Sequence, residues 1–264
     1  MKNNSKADPT NQGRNRASAN QYIGRVEDNL YGSVEQWVNS VPYEDGKYLL
    51  PQDAQPNRDF ENALLAALLI NGTFFLDPNV EGAFRSGVLG AERDLEASIT
   101  GFQRSGDTNR IYNFDSTFSS PEYQRSLSSY QQSAQDSINA SAIEASARIS
   151  TIILLGMNAG KPVDELLTDI KRQTEIMASK MERTSTTTIN QGLSQGGMIA
   201  GGLAATALGL TAVVQHISAL IPTTRPHHAA RHHKFYKIQD QNIWWATGAN
   251  SINCYCRAKP VLIK

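Results

Sequence analysis

Cysteine is scarce in this 264-residue chain: it has two, Cys254 and Cys256, in a Cys-x-Cys arrangement. Two cysteines at this spacing do not make the disulfide framework of a small secreted domain. The first 21 residues lack the apolar core of a secretory signal peptide, because they are rich in Lys, Asn, Ser and Arg. We therefore expect a protein made in a reducing cytoplasm.

Charge is unevenly distributed, although basic and acidic residues balance over the whole chain. No formally charged residue lies between Arg183 and Arg225, and the only acidic residue after His216 is Asp240. The basic residues of this end are Arg225, Arg231, Lys234, Lys237, Arg257, Lys259 and Lys264. This excess of basic residues indicates either a surface that binds a polyanion or an ordinary solvated face.

Long hydrophobic runs are also lacking. The apolar stretch over 60–70 is too short to cross a bilayer, which needs about 20 residues. Residues 192–210 carry small residues every fourth position, a pattern that lets helices approach closely in a membrane. A water-soluble helix with a thin face packed against another helix is the alternative. We favour it, because polar residues flank this run closely: Ser194, Gln195, Gln215 and His216.

Apolar residues recur at helical spacing over most of the first 210 residues. The clearest helix begins after Ser120, with Pro121 at its first position, and ends near Gly160. The next helix begins near Pro162, so the short join predicts two antiparallel neighbours. Whether the Thr-rich segment from Arg183 continues that helix is left open. Further helices are predicted over 22–41, 60–70 and 79–102, with a loop over 42–56.

The pattern changes after residue 210, where β-branched residues favour strands over 211–221, 235–238 and 258–263. We predict a mainly α fold with a small C-terminal β-containing element (α+β), in which long antiparallel helices precede a short-stranded domain. The predicted divisions are a disordered arm over 1–20, a helical region over 21–119, a helical hairpin or bundle over 120–210 and a small α+β element over 211–264.

Four of the five histidines and both cysteines lie in two short segments near the C-terminus. Imidazole and thiolate are the ligands that zinc prefers. His228, Cys254 and Cys256 would supply three ligands, and the fourth would come from His227, His232 or Asp240. The alternative, which we favour, is a structural turn without a cofactor, in which the cysteines are small buried residues.

A cysteine beside a histidine is also the pair used in nucleophilic catalysis. However, no orienting carboxylate lies nearby in the sequence, no glycine-rich phosphate loop follows a predicted strand, and no carboxylates are paired at helical spacing. We therefore expect that the chain is not an enzyme.

A family resemblance becomes visible in the same segments. The strand that contains Val214-Gln215-His216 is followed by Thr224-Arg225-Pro226 and His228, and later by Asn253-Cys254-x-Cys256 and Pro260-Val261. This order resembles the C-terminal domain of Mu F-like phage head morphogenesis proteins, over roughly residues 121–264. The matching motif residues are Arg183, Thr184, Arg225, Pro226, His228, Asn253, Cys254 and Cys256. The chain departs from the family pattern at Ser185, where Glu is usual, and at His233, where Gly is usual.

The resemblance implies a structural virion protein: a minor head protein at the portal vertex inside the capsid, made in the host cytoplasm and in some relatives ejected with the DNA. Its expected partners are the portal protein, other head proteins and packaged double-stranded DNA, with a membrane contacted on ejection. Non-specific DNA contact would fall to Arg231, Lys234, Lys237, Arg257 and Lys259. Two alternatives remain: an ejection protein that inserts helix 192–210 into the host envelope, and a zinc-dependent hydrolase.

Overall fold

The computed structural model describes residues 10–49 and 56–264, and most of these residues are helical. The helices are α1 (Gly13–Ser40), α2 (Pro56–Ala67), α3 (Asp77–Arg104), α4 (Pro121–Asn158), α5 (Val163–Leu208), α6 (Pro226–Ala229) and α7 (Ile238–Ala246), with a 3₁₀ helix at Phe114–Ser119. The strands are β1 (Tyr43–Glu44), β2 (Lys47–Tyr48), β3 (Leu69–Ile70), β4 (Thr73–Phe74), β5 (Thr211–Ile217), β6 (Phe235–Lys237) and β7 (Arg257–Ile263). The predicted fold class, mainly α with a small β-containing element near the C-terminus, is confirmed.

The described residues form two compact units, and both long helices run from one unit into the other. The first unit contains 10–17, 77–132 and 185–264, and the second contains 18–49, 56–76 and 133–184. This division differs from the predicted one, since the expected bundle over 120–210 is shared between the units. The Thr-rich segment continues α5 without a break, and its residues Ser185, Thr186 and Thr188 are buried within the first unit.

The second unit has a helical core to which two short hairpins are attached. Apolar residues at helical spacing on α1 are buried, from Ile23 to Val38. In this unit α4 and α5 are antiparallel neighbours, as predicted, with Lys180 paired to Glu144 at 2.6 Å. The predicted loop over 42–56 contains the hairpin β1–β2, and Asn71-Gly72 turns a second hairpin, β3–β4, after α2 has ended at Ala67. Each turn holds its two central residues at positive φ, the geometry that Asp-Gly and Asn-Gly favour.

In the first unit, α3 and α5 cross so closely that their backbones touch. A Cβ atom at Gly87 would lie 2.1 Å from the carbonyl oxygen of Leu193, and one at Gly196 would lie 2.1 Å from that of Phe84. A Cβ at Gly201 would meet the ring of Pro260, on β7, at 2.5 Å. The small-residue rows of 192–210 therefore pack against protein in this structure, as in the alternative that we favoured.

The three strands near the C-terminus form an antiparallel sheet in the order β6-β5-β7. Each of the two outer strands pairs with β5, so that His216 lies opposite Ala258 and Val214 opposite Pro260. The helices α6 and α7 lie in the connection from β5 to β7, and no helix was predicted there.

The predicted disordered arm over 1–20 is corrected in part. Residues 1–9 lie outside the described residues, but α1 already begins at Gly13. Arg16 explains the order: its guanidinium donates to Asn190 Oδ1 at 2.5 Å and lies 4.7 Å from the ring centre of Tyr255. Contacts with residues distant in sequence thus hold this segment in a helix, although its own sequence has no helical periodicity.

Among the described residues, one helix, α4, is long and apolar enough to cross a membrane by length and composition. Core helices of water-soluble proteins also meet this criterion.

Candidate functional site

Two histidines and both cysteines come together in the interior of the first unit. His216 lies in the middle of β5, His228 lies on α6, and Cys254 and Cys256 lie in the segment that leads into β7. All four residues are buried, and none is more than 7% exposed. We call these four residues the thiol–imidazole cluster.

The polar atoms of the thiol–imidazole cluster are within contact distance. Nδ1 of His228 lies 3.3 Å from Sγ of Cys256 and 3.4 Å from Sγ of Cys254. The backbone N–H of Cys256 donates to Sγ of Cys254 at 3.3 Å. Ligand atoms of His216, His228 and Cys256 all lie within 4.8 Å of one another. The residues can therefore surround one small cation.

The two thiols share their protons unequally. The hydrogen bond donated by Cys254 lowers the pKa of Cys256, burial opposes this effect, and the imidazoles of His216 and His228 lower that pKa further. The same bond to Cys256 raises the pKa of Cys254, and burial raises it further. Thiolate character is thus concentrated on Cys256, and a thiolate is the form of cysteine that binds metals.

The position of His216 follows from strand alternation. Along β5 and just beyond it, Val214, His216 and Ser218 are buried, as expected when alternate residues face the interior. A histidine on such an inward face needs polar partners. Its Nδ1 lies 3.4 Å from Oε1 of Gln241, whereas its Nε2 has no hydrogen bond of acceptable geometry among the described residues.

The segment that carries the cysteines is held by hydrogen bonds from the side chain of Arg225 to backbone carbonyl oxygens. Its guanidinium donates to the carbonyl oxygens of Ala249, at 2.9 Å, and Ile252, at 2.7 Å. Nη1 of Arg225 also lies 3.3 Å from Nε2 of His228. Asn253 follows with φ of 50°, a left-handed conformation that Asn tolerates better than most residues. The motif residues Arg225 and Asn253 thus shape the turn that places the cysteines.

A polar face of α5 supports the same segment from the other side. Thr187, Asn190 and Ser194 lie three and four residues apart, and therefore on one side of the helix. Thr187 Oγ1 accepts from the backbone N–H of Asn253 at 2.8 Å, Asn190 Nδ2 donates to the carbonyl oxygen of Cys254 at 3.0 Å, and Ser194 Oγ accepts from the N–H of Ala258 at 3.2 Å. These contacts give a structural role to three polar residues of the uncharged stretch after Arg183.

The helix α7 supplies a second layer of contacts around His216. Gln241 Oε1 faces Nδ1 of His216 and also accepts from Arg231 at 3.1 Å. The guanidinium of Arg231 lies 3.6 Å from the ring centre of Tyr236 and 4.3 Å from that of Trp244. Arg231 and Gln241 together fix the orientation of the His216 ring.

The structure brings together the three predicted metal ligands, His228, Cys254 and Cys256, but it corrects the fourth. None of the three residues considered for that position joins the cluster. His227 is exposed and contacts Asn250 at 3.1 Å, Nδ1 of His232 accepts from the N–H of Ser218 at 3.1 Å, and Asp240 is exposed. His216 takes their place, because its ligand atom lies within 4.8 Å of those of His228 and Cys256.

The other predicted motif residues are divided between the two units. Pro226 is the first residue of α6, the position at which proline is favoured. Arg183 and Thr184 lie on α5 within the second unit, beside Glu144 and Lys180. Ser185, at the position where the resembled family has Glu, is fully buried in the first unit.

Of the five predicted DNA-contacting residues, three have partners within the chain. Arg231 is held between aromatic rings, and Asp94 pairs with Arg257 at 2.5 Å and with Lys259 at 3.4 Å. Lys234 and Lys237 are exposed. They are therefore the stronger candidates for contact with a polyanion.

Five residues of the site were not predicted from the sequence: His216, Thr187, Asn190, Ser194 and Gln241. A signal existed for His216, because a histidine on the inward face of an apolar strand requires a partner. No comparable signal existed for Gln241, because the helix α7 that carries it was not predicted.

Comparison with known proteins gives no further identification: no family model, no curated protein and no solved structure matches this chain.

Proposed function

We propose that this chain is a minor head protein of a bacteriophage, associated with the portal vertex inside the head. One observation carries the proposal. Four of the residues that give the chain its resemblance to Mu F-like head proteins are distant in sequence but meet in one arrangement of hydrogen bonds: Arg225, His228, Cys254 and Cys256. Chance similarities scattered along a chain would have no reason to converge in this way.

The roles of these residues support a structural function. Arg225 donates to two backbone carbonyl oxygens, and Asn253 supplies a left-handed turn and a backbone donor to Thr187. These contacts fix the segment before β7. A motif of this kind maintains a fold, which suits a protein whose task is to occupy a fixed position in a particle.

Packing of the small-residue rows favours this function over insertion into a host envelope. Gly196 and Gly201 lie against Phe84 and Pro260 at distances that leave no room for a side chain. Insertion of 192–210 into a bilayer would require separation of α5 from α3 and β7. Flotation of the purified chain with liposomes addresses this alternative: the proposed head protein should remain in the bulk fraction.

Cryo-electron microscopy of intact particles from the phage that encodes this chain tests the proposal. We expect density that matches the two long helices and the three-stranded sheet beside the portal ring, in few copies per particle. Mass spectrometry of the same particles is the control, because it shows whether the chain was lost from them during purification. Purified infectious particles that contain none of this chain would overturn the proposal.

A further inference from the structure

We propose that His216, His228, Cys254 and Cys256 bind one Zn²⁺ ion in a closed tetrahedral site. The four ligands come from three parts of the first unit: β5, α6 and the segment before β7. The ion would therefore join the sheet to the segment that carries the motif. This inference is independent of the proposed function, because it rests on the geometry of the cluster alone.

The distances fit a tetrahedral zinc ion. Zn–N bonds of about 2.0–2.1 Å and Zn–S bonds of about 2.3 Å place neighbouring nitrogen and sulfur ligands roughly 3.6 Å apart. Nδ1 of His228 lies 3.3 Å from Cys256 Sγ and 3.4 Å from Cys254 Sγ, and the ligand atom of His216 lies within 4.8 Å of those of His228 and Cys256. Completion of the tetrahedron would require the ligand atom of His216 to approach those of the other three residues.

The environment of His216 points to a ligand. Its Nε2 is buried and has no acceptable hydrogen bond among residues 10–49 and 56–264, which is unfavourable unless something else satisfies it. In the tautomer that carries the proton on Nδ1, His216 donates to Gln241 Oε1, 3.4 Å away, and its Nε2 lone pair is available to a metal. Histidine ligands of metals commonly donate their other ring N–H to such an acceptor. Arg231, bonded to the same oxygen, fixes the orientation of the Gln241 amide.

The competing interpretation is a metal-free cluster of hydrogen bonds. In that state, His228 would accept from Arg225 at Nε2 and donate from Nδ1 to the sulfurs. Metal binding through Nδ1 would move the His228 ring proton to Nε2 and release the thiol protons of the cysteines to solvent. Arg225 would then lose its contact with Nε2 but keep its two carbonyl acceptors. The two states therefore differ in proton release and in metal content, both of which can be measured.

The ligand number indicates a structural rather than a catalytic ion. Catalytic zinc sites keep one position for water or substrate, whereas structural sites use four protein ligands. Here, two histidines and two cysteines fill all four positions. The cavity of about 130 Å³ beside Cys254 and Cys256 would then border a closed site, which argues against the zinc-dependent hydrolase alternative.

Elemental analysis of the full, untagged chain tests the inference, because a polyhistidine tag would itself bind metal. After incubation with zinc and dialysis, we expect about one zinc per chain. Replacement of zinc by Co²⁺ should give the visible absorption of tetrahedral cobalt and a thiolate-to-metal charge-transfer band. His216→Gln should lose the metal, whereas His227→Gln, at the exposed histidine beside His228, should retain it.

Two measurements remain informative if the ligand variants do not fold. The cobalt spectrum of the wild type reports thiolate ligation directly, and a chelator should lower the melting temperature of the wild type. Gln241→Met leaves the four ligands in place and should weaken zinc binding about 10- to 100-fold in competition with a chelator. Absence of bound metal in the folded wild type, or a zinc content unchanged in the double variant Cys254→Ser, Cys256→Ser, would overturn the inference.

Discussion

Asn190 donates a hydrogen bond from its side-chain Nδ2 to the backbone carbonyl oxygen of Cys254, at 3.0 Å. Its Oδ1 accepts from Arg16 at 2.5 Å, so one buried amide connects α5 to both the cysteine segment and the start of α1. A smaller or apolar side chain at this position cannot both donate to Cys254 and accept from Arg16.

Asn190→Ala should therefore destabilise the protein. It removes a donor and an acceptor from a buried position, which costs about 1–3 kcal/mol for each group left unsatisfied. Urea unfolding followed by circular dichroism measures the change. Gln191→Ala, at the next, partly exposed position of α5, should alter the free energy of unfolding by less than about 0.5 kcal/mol. Equal effects of the two substitutions would contradict this role for Asn190.

Arg225→Lys tests whether the motif arginine acts through geometry or charge. The guanidinium reaches two carbonyl oxygens at once, and an ammonium group cannot reproduce this planar arrangement. We expect a loss of about 1.5–3 kcal/mol, the range for a hydrogen bond to a charged group. Arg110→Lys serves as the control, since its side chain makes one exposed contact, to Ala207 at 3.4 Å. A fully stable Arg225→Lys variant would show that charge alone suffices.

Gly87→Ala should disrupt the crossing of α3 and α5. The new methyl group would lie 2.1 Å from the carbonyl oxygen of Leu193 and 2.7 Å from the backbone nitrogen of Gly197. Because both neighbours are backbone atoms, they cannot move aside as a side chain would. We expect a loss of about 3 kcal/mol, at the upper end of overpacking effects.

The matched control lies on the same helix. A Cβ at Gly101 has nothing within 4 Å, so Gly101→Ala should stabilise α3 by roughly 0.5–1 kcal/mol through helix propensity. Thermal unfolding distinguishes the two substitutions, because the melting temperature should fall for Gly87→Ala and rise for Gly101→Ala. Destabilisation by both would point to a general intolerance of α3 and not to the crossing.

Tyr130 should make stability fall at alkaline pH. Burial raises the pKa of Tyr130 to about 12, above the ordinary value of about 10. The unfolded chain therefore loses this proton first, so the contribution is fully present below about pH 10 and is lost as pH rises towards 12. The expected loss is about 3 kcal/mol, because the two values differ by about two pKa units and each corresponds to about 1.4 kcal/mol.

Comparison with Tyr130→Phe isolates this effect. The variant should unfold with a smaller dependence on pH in the alkaline range, while its stability at neutral pH changes by less than about 1 kcal/mol. Absorbance of tyrosinate in the folded wild type gives an independent measurement. Parallel pH profiles for the two proteins would exclude Tyr130 as the source.

Lys234 and Lys237 should contribute to DNA binding if the proposed function is correct. Replacement of both by Ala should weaken binding to double-stranded DNA equally for all sequences. It should reduce the slope of log K against log salt by about 2, since each phosphate contact contributes roughly 0.9. Fluorescence anisotropy at several salt concentrations measures this slope.

A charge-matched variant controls for net charge. Lys171 and Arg172 are exposed on the second unit, and their replacement by Ala removes the same two charges. That variant should keep the wild-type slope. An identical reduction in both variants would indicate a general charge effect.

The sequence predicts the helices well and the site only in part, for physical reasons. Apolar periodicity marks α3 and α4, because each helix buries one continuous face. The Asp45-Gly46 and Asn71-Gly72 hairpins were missed, although both dipeptides favour this turn. His228 could be placed with the cysteines through the family pattern. For His216 the sequence indicates only that an inward-facing histidine needs a polar partner. Its place beside the cysteines depends on the pairing of β5 with β7, which brings Ala258 opposite it.

The proline on β7 has a consequence for self-association. β6 and β7 are the outer strands of the sheet, and outer strands present unpaired backbone groups on which another chain can add a strand. Pro260, which also fills the space beside Gly201, has no N–H to offer along β7. Lys259 and Lys237 add charge to the two outer strands. Many copies could therefore be synthesised at once with little tendency to join edge to edge into aggregates.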